Sequence, residues 1–104
     1  MKFKKGQTYE LICNPKEDIN INNINKIIFA FGESKKVYTS DTTGTQDIII
    51  ENGKIKIKLS QEDTLKLSDE KVEYEMAIKY KSGKVLKSPV KISKTLRTII
   101  KEVI

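Results

Sequence analysis

The sequence predicts an all-β fold, a small antiparallel β-sandwich, and three observations predict it. Asn52-Gly53 separates two apolar-rich runs, residues 47–51 and 54–59, which is the strongest short-range hairpin signal a sequence carries. After that turn Ile55, Ile57 and Leu59 alternate with Lys54, Lys56 and Lys58. Alternation with period two puts oil on one face and charge on the other, as in a half-buried strand. Finally, about seven short runs of this kind recur between turn residues, and sixteen of the 104 residues are the strand-favouring isoleucine.

The elements follow in order. Gly6 precedes a first strand over residues 7–13, with Tyr9, Leu11 and Cys13 on one face. Asn14-Pro15 ends it, because proline cannot donate to a ladder. Residues 16–25 read as a polar loop whose Ile19, Ile21 and Ile24 tuck into the sandwich edge. Residues 26–31 are apolar on both faces, which marks a central strand. Residues 32–36 read as a turn, 37–40 as a short strand, and Asp41-Thr42-Thr43-Gly44 as turn chemistry again. After the hairpin, Ser60 with Asp63 three residues on makes a variant of the capping box, so one short helical turn ends near Leu67.

Residues 71–80 form the longest clean strand, with Val72, Tyr74, Met76, Ile78 and Tyr80 on one side. Ser82-Gly83 turns the chain into a partner strand over residues 84–93, where Pro89 marks a bulge or an edge. Residues 1–94 thus make one sandwich domain, and 95–104 an amphipathic tail. Leu96, Ile99, Ile100 and Val103 fit helical spacing, and strict alternation fits less well, so both helix and strand stay open. The number and spacing of strands point to an immunoglobulin-like sandwich, with a small barrel as the runner-up.

Composition limits the function. The length suits one core without staples. The single cysteine permits no internal disulfide, and Cys13 reads as a small buried thiol. Histidine is absent, removing the commonest general base and metal ligand. No glycine-rich phosphate loop or nucleophile elbow is present. Glu62-Asp63 is the nearest approach to a carboxylate pair, and capping explains it. The expectation is a protein that is not an enzyme, with no catalytic, cofactor-binding or metal-ligating residues. The +6 charge raises nucleic acid as a partner. The lysines are scattered, however, and Arg97 is the only arginine, so that partner is not expected. The stripe Lys54, Lys56, Lys58 reads as a solvated outer face that pairs across strands with Glu73 and Glu75. No apolar run approaches the roughly 18 residues of a membrane span. The start, MKFKKGQTYE, has no apolar stretch after its basic residues, so synthesis in the cytoplasm without a signal peptide is expected.

A resemblance completes the reading. Lys5-Gly6-Gln7-Thr8 leads into a strand, followed by the central IIFAF of residues 27–31. NGKIKIKLSQEDTLKL at 52–67 and VEYEMAIKYKSGKVLKSPV at 72–90 follow. In this order the motifs resemble small virion-associated proteins encoded among the tail genes of phages and prophages of low-GC Gram-positive bacteria. The chain is also similar to the N-terminal domain of phage baseplate upper proteins, without their fibrous extension. The resemblance implies a structural subunit that assembles with other phage tail proteins and with copies of itself as a homo-oligomer. Its interface would use the edge strand carrying Pro89 and the tail residues Leu96, Ile99, Ile100, Val103 and Ile104. The alternative is a stand-alone module that binds host cell-surface polysaccharide or protein.

Overall fold

The computed structural model describes residues 2–14, 20–41 and 46–104. Pro15, Ile19 and the turn at 42–44 lie outside them. The described residues form two sheets. The hairpin is as the Asn-Gly signal requires: β5 (Ile48–Glu51) pairs antiparallel with β6 (Lys54–Leu59). Asn52 and Gly53 both take positive φ, 52° and 73°, the geometry of a tight hairpin turn. A Cβ at Gly53 would meet no atom within 4 Å, so only backbone strain opposes it. Gly53→Ala should therefore cost about 1 kcal/mol in urea unfolding.

β2 (Tyr9–Cys13) pairs with the other edge of β6, completing a three-stranded sheet in the order β2-β6-β5. The second sheet is built around β3 (Ile24–Phe31), which lies between β4 (Ser34–Thr39) and β7 (Lys71–Tyr80). Beyond β7 lie β8 (Val85–Lys87) and β9 (Lys91–Leu96), and β1 (Lys2–Lys4) closes the order β1-β9-β7-β3-β4. The two sheets pack face to face. Ile24, Ile27, Phe29 and Phe31 of β3 meet Ile48, Ile55, Ile57 and Leu59 from the smaller sheet. α1 (Gln61–Leu65) lies between β6 and β7, opened by a complete capping box between Ser60 and Asp63. The fully buried Thr64 donates its hydroxyl to the Gln7 carbonyl at 2.9 Å, tying α1 to the segment before β2.

Several expectations need correction. An additional strand, β1, precedes β2, and it pairs parallel with β9 rather than antiparallel. Its three residues are too few to show a period. Phe3 nonetheless anchors it, with edge-on contacts to the Tyr9 and Tyr74 rings at 5.3 and 6.1 Å. β4 begins at Ser34, not 37, because the pairing of Phe31 with Ser34 shortens the turn to Gly32-Glu33. Ile24 belongs to β3 and is fully buried, whereas Ile21 is exposed.

The expected single strand over 84–93 is broken into β8 and β9, both against β7. Pro89 supplies no N–H there. Ser88 spans the gap instead: its N–H donates to the Met76 carbonyl, and its hydroxyl accepts from the Met76 N–H, both at 2.8 Å. β9 carries the sandwich to Leu96, so Thr95 and Leu96 leave the expected tail. Residues 97–104 form neither helix nor strand. With Leu96 taken up by β9, only eight residues remain, too few to sustain a helix alone.

Candidate interaction surface

Exposed oil is concentrated late in the chain. Twelve large apolar side chains among the described residues are exposed, and nine of them lie between Val85 and Ile104. On the two-sheet frame eight of the nine divide between two places, with Leu96 at the end of β9 between them. Val85, Leu86, Val90 and Ile92 lie along the broken β8–β9 edge, with Pro89 exposed in the break. Ile99, Ile100, Val103 and Ile104 lie past Leu96, where the chain turns against the β1–β2 connection and α1. There the Ile104 N–H donates to the Gln61 side-chain carbonyl at 3.0 Å. Ile99 and Ile104 are 95% and 89% exposed, so this contact buries little. The expected interface residues are all exposed, but the structure does not gather them: Pro89 is at the break, Leu96 ends β9, and Ile99, Ile100, Val103 and Ile104 lie beyond it.

Between the sheets, beside the break, is a cleft of about 230 Å³. Leu11 and Cys13 of β2 line one side, Tyr74 and Met76 of β7 the other, with Ser88 and Lys91 at the rim. Alternation turned Leu11, Cys13, Tyr74 and Met76 inward as core, but here they line an open cleft and are only half-buried. Burial pushes the Cys13 thiol above its ordinary range, against the pull of the Lys91 ammonium. The thiol is therefore protonated at neutral pH, in the half-buried state expected of a structural cysteine. The signal that could have revealed the cleft is the pairing of the clean inward face of β7 with a proline-broken neighbour.

The other sequence features resolve into structure. Tyr9, Tyr74 and Tyr80 pack against the core rather than forming an outer stacking platform. Asp63 accepts from the Ser60 N–H at 2.8 Å and pairs with Lys36 at 2.7 Å, so its carboxylate is used in capping and in that ion pair. The lysine stripe does not face Glu73 and Glu75, which lie on the other sheet. Its register partners are Glu10 opposite Lys58 and Glu51 opposite Lys54, and Lys56 pairs with Glu51 at 3.4 Å. The stripe is thus the middle of a mixed-charge face.

No family model, no curated protein and no solved structure matches the chain. Among the described residues, no helix is long and apolar enough to cross a membrane.

Proposed function

We propose that this chain is a structural subunit of a phage or prophage virion, a tail or baseplate component that works through protein–protein assembly. The observation that carries the reading is the placement of exposed oil. Aliphatic side chains that a free-standing domain would bury lie along the β8–β9 edge and the segment after it, and such surfaces mark contact sites. The motif resemblance supplies the biological setting. In this reading the protein acts by shape, without turnover or cofactor. It is made in the bacterial cytoplasm and joins the virion through other tail proteins and copies of itself.

The strand order supports the finer reading of the sandwich as immunoglobulin-like. β3-β7-β9 in one sheet and β2-β6-β5 in the other follow the pairing of that fold, with β4 added beside β3.

The test is to induce the prophage, purify intact particles and look for this chain by mass spectrometry. Its presence at a fixed ratio to the tail proteins is expected, and its absence overturns the reading. Assembly through the tail has its own measurement. The cut must follow β9, because Thr95 and Leu96 pair with Phe3 and Lys4. A chain shortened to residues 1–97 should keep its β-sheet circular dichroism and lose self-association in sedimentation. If it sediments as the full chain does, the tail has no part in assembly.

A further inference from the structure

The larger sheet continues past β7 into β8 and β9, whereas the smaller sheet stops at β2. One strand's width of the inner face is therefore uncovered, and the cleft of Leu11, Cys13, Tyr74 and Met76 lies there. β2 is also a lightly defended edge. Proteins ordinarily blunt such an edge with charged side chains, proline or a bulge. YELIC has no lysine, proline or bulge, its one charge is Glu10, and Ile12 is 55% exposed on its outer side. No backbone hydrogen bond among the described residues reaches the free side of β2. An incoming extended segment would complete the ladder there and drop alternate side chains into the cleft.

We propose that residues 99–104 of a second copy of this chain add as a strand beside β2 and close the cleft. This rests on the assembly reading above and names its acceptor. Six extended residues span about 20 Å, enough to cover the five of β2. The segment is apolar, exposed and without secondary structure of its own. Charge sets its register. Lys91 at the cleft rim has no carboxylate within ion-pair distance among the described residues, and Glu102 is the one acid in the segment. Ile100, Glu102 and Ile104 then face inward, with Glu102 on Lys91, and Ile99, Lys101 and Val103 face out.

The donor is a second copy because β9 runs away from the cleft. It starts at Lys91 on the rim and ends at Leu96, and the chain beyond lies against Gly6 and Gln61. Filling its own cleft would require the segment to reverse and run back along the whole of β9. A tail-to-cleft contact closes as a two-fold dimer where two copies exchange tails and generates rings or filaments where they do not.

Cys13, the only cysteine, reports on the cleft. Ile99→Cys, Ile100→Cys, Val103→Cys and Ile104→Cys are made singly in the full chain and oxidised at alkaline pH. Positions 100 and 104 lie about 13 Å apart along a strand, so one register brings only one of them to Cys13: either Ile100→Cys or Ile104→Cys, according to strand direction, should give disulfide-linked dimers or a ladder of higher species. Ile99→Cys and Val103→Cys should not, because neighbouring strands present alternate residues to one face. Adding Cys13→Ser should abolish the linkage. Lys91→Glu should lose it, and combining Lys91→Glu with Glu102→Lys should restore it. Equal linkage at all four positions, linkage only within one chain, or no linkage overturns the proposal. If linkage is absent while shortening to residues 1–97 still abolishes self-association, the cleft is not the acceptor and tail-driven assembly stands. A full chain that never self-associates overturns both.

Discussion

Truncating Phe31 to alanine is expected to destabilise the protein by about 3–5 kcal/mol, the cost of removing a large aromatic from a packed core. Phe31 is 1% exposed, and its ring stacks on Phe29 with centroids 5.7 Å apart. It lies at the end of β3, opposite Ser34 on one side and Tyr74 on the other. Both neighbours are hydrogen-bonded strands, so the backbone has little room to collapse into the space left behind. A domain of this length has about 5–15 kcal/mol of stability in all. One truncation therefore removes a large share of it and leaves the variant partly unfolded at the lower bound. Urea unfolding followed by circular dichroism should show a lower midpoint with an unchanged slope. Ile12→Ala, on the exposed outer side of β2, is the control and should stay within about 0.5 kcal/mol. Comparable losses at the two positions would mean that β3 is not the centre of the core.

The elements that were legible in the sequence are those whose signal is local. The Asn52-Gly53 hairpin carries its turn and both alternating strands within a few residues, and both strands form on either side of it. β7 spans the residues that its alternation marks. The capping box at Ser60 and Asp63 is likewise a four-residue signal. What escaped depends on partners remote in sequence. β1 has three residues and exists because β9, some ninety positions later, offers an edge to it. β4 begins early because its residues pair with β3, although SKK shows no alternation. Alternation places Lys54, Lys56 and Lys58 on an outer face but is silent about which sheet, so their acidic partners were misassigned. The cleft escaped for the same reason. Inward parity at Cys13, Tyr74 and Met76 reads as core, and only the unequal widths of the sheets leave those residues uncovered. Composition and parity give the face a side chain takes, whereas the number of strands covering that face is a property of the assembled sheets.

Replacing Lys36 with methionine should cost about 2 kcal/mol near neutral pH and flatten the acid limb of the stability curve. The Lys36 ammonium lies 2.8 Å from Asp47 and 2.7 Å from Asp63, so one side chain of β4 ties the larger sheet to the start of β5 and to α1. Lys36 and Asp63 are 14% and 17% exposed, and Asp47 is half-exposed. Most of the effect therefore comes from the Asp63 contact, at the 1.5–3 kcal/mol roughly typical of a charged hydrogen bond. Asp47→Asn should cost less, under about 1 kcal/mol, because water already screens that carboxylate.

The signs of the two shifts set the pH window. Burial pushes Asp63 up, but hydrogen bonds from Lys36 and Ser60 outweigh it and hold the carboxyl below its ordinary 3.8. That stabilisation is present above 3.8 and is lost as pH falls through the lower folded value. Burial pulls Lys36 down, and its bonds to Asp47 and Asp63 outweigh it in turn, raising the ammonium above 10.5. Its stabilisation is present below 10.5 and is lost as pH rises through the higher folded value. The midpoint of thermal unfolding should therefore hold a plateau between these limbs and fall on either side. In Lys36→Met the plateau is lower, the alkaline fall due to Lys36 disappears, and the acid fall shrinks to the part due to Ser60. A part-buried pair is screened little by salt, so these differences should persist in high salt. An acid limb of the same steepness in Lys36→Met and in the parent would show that Lys36 does not hold Asp63.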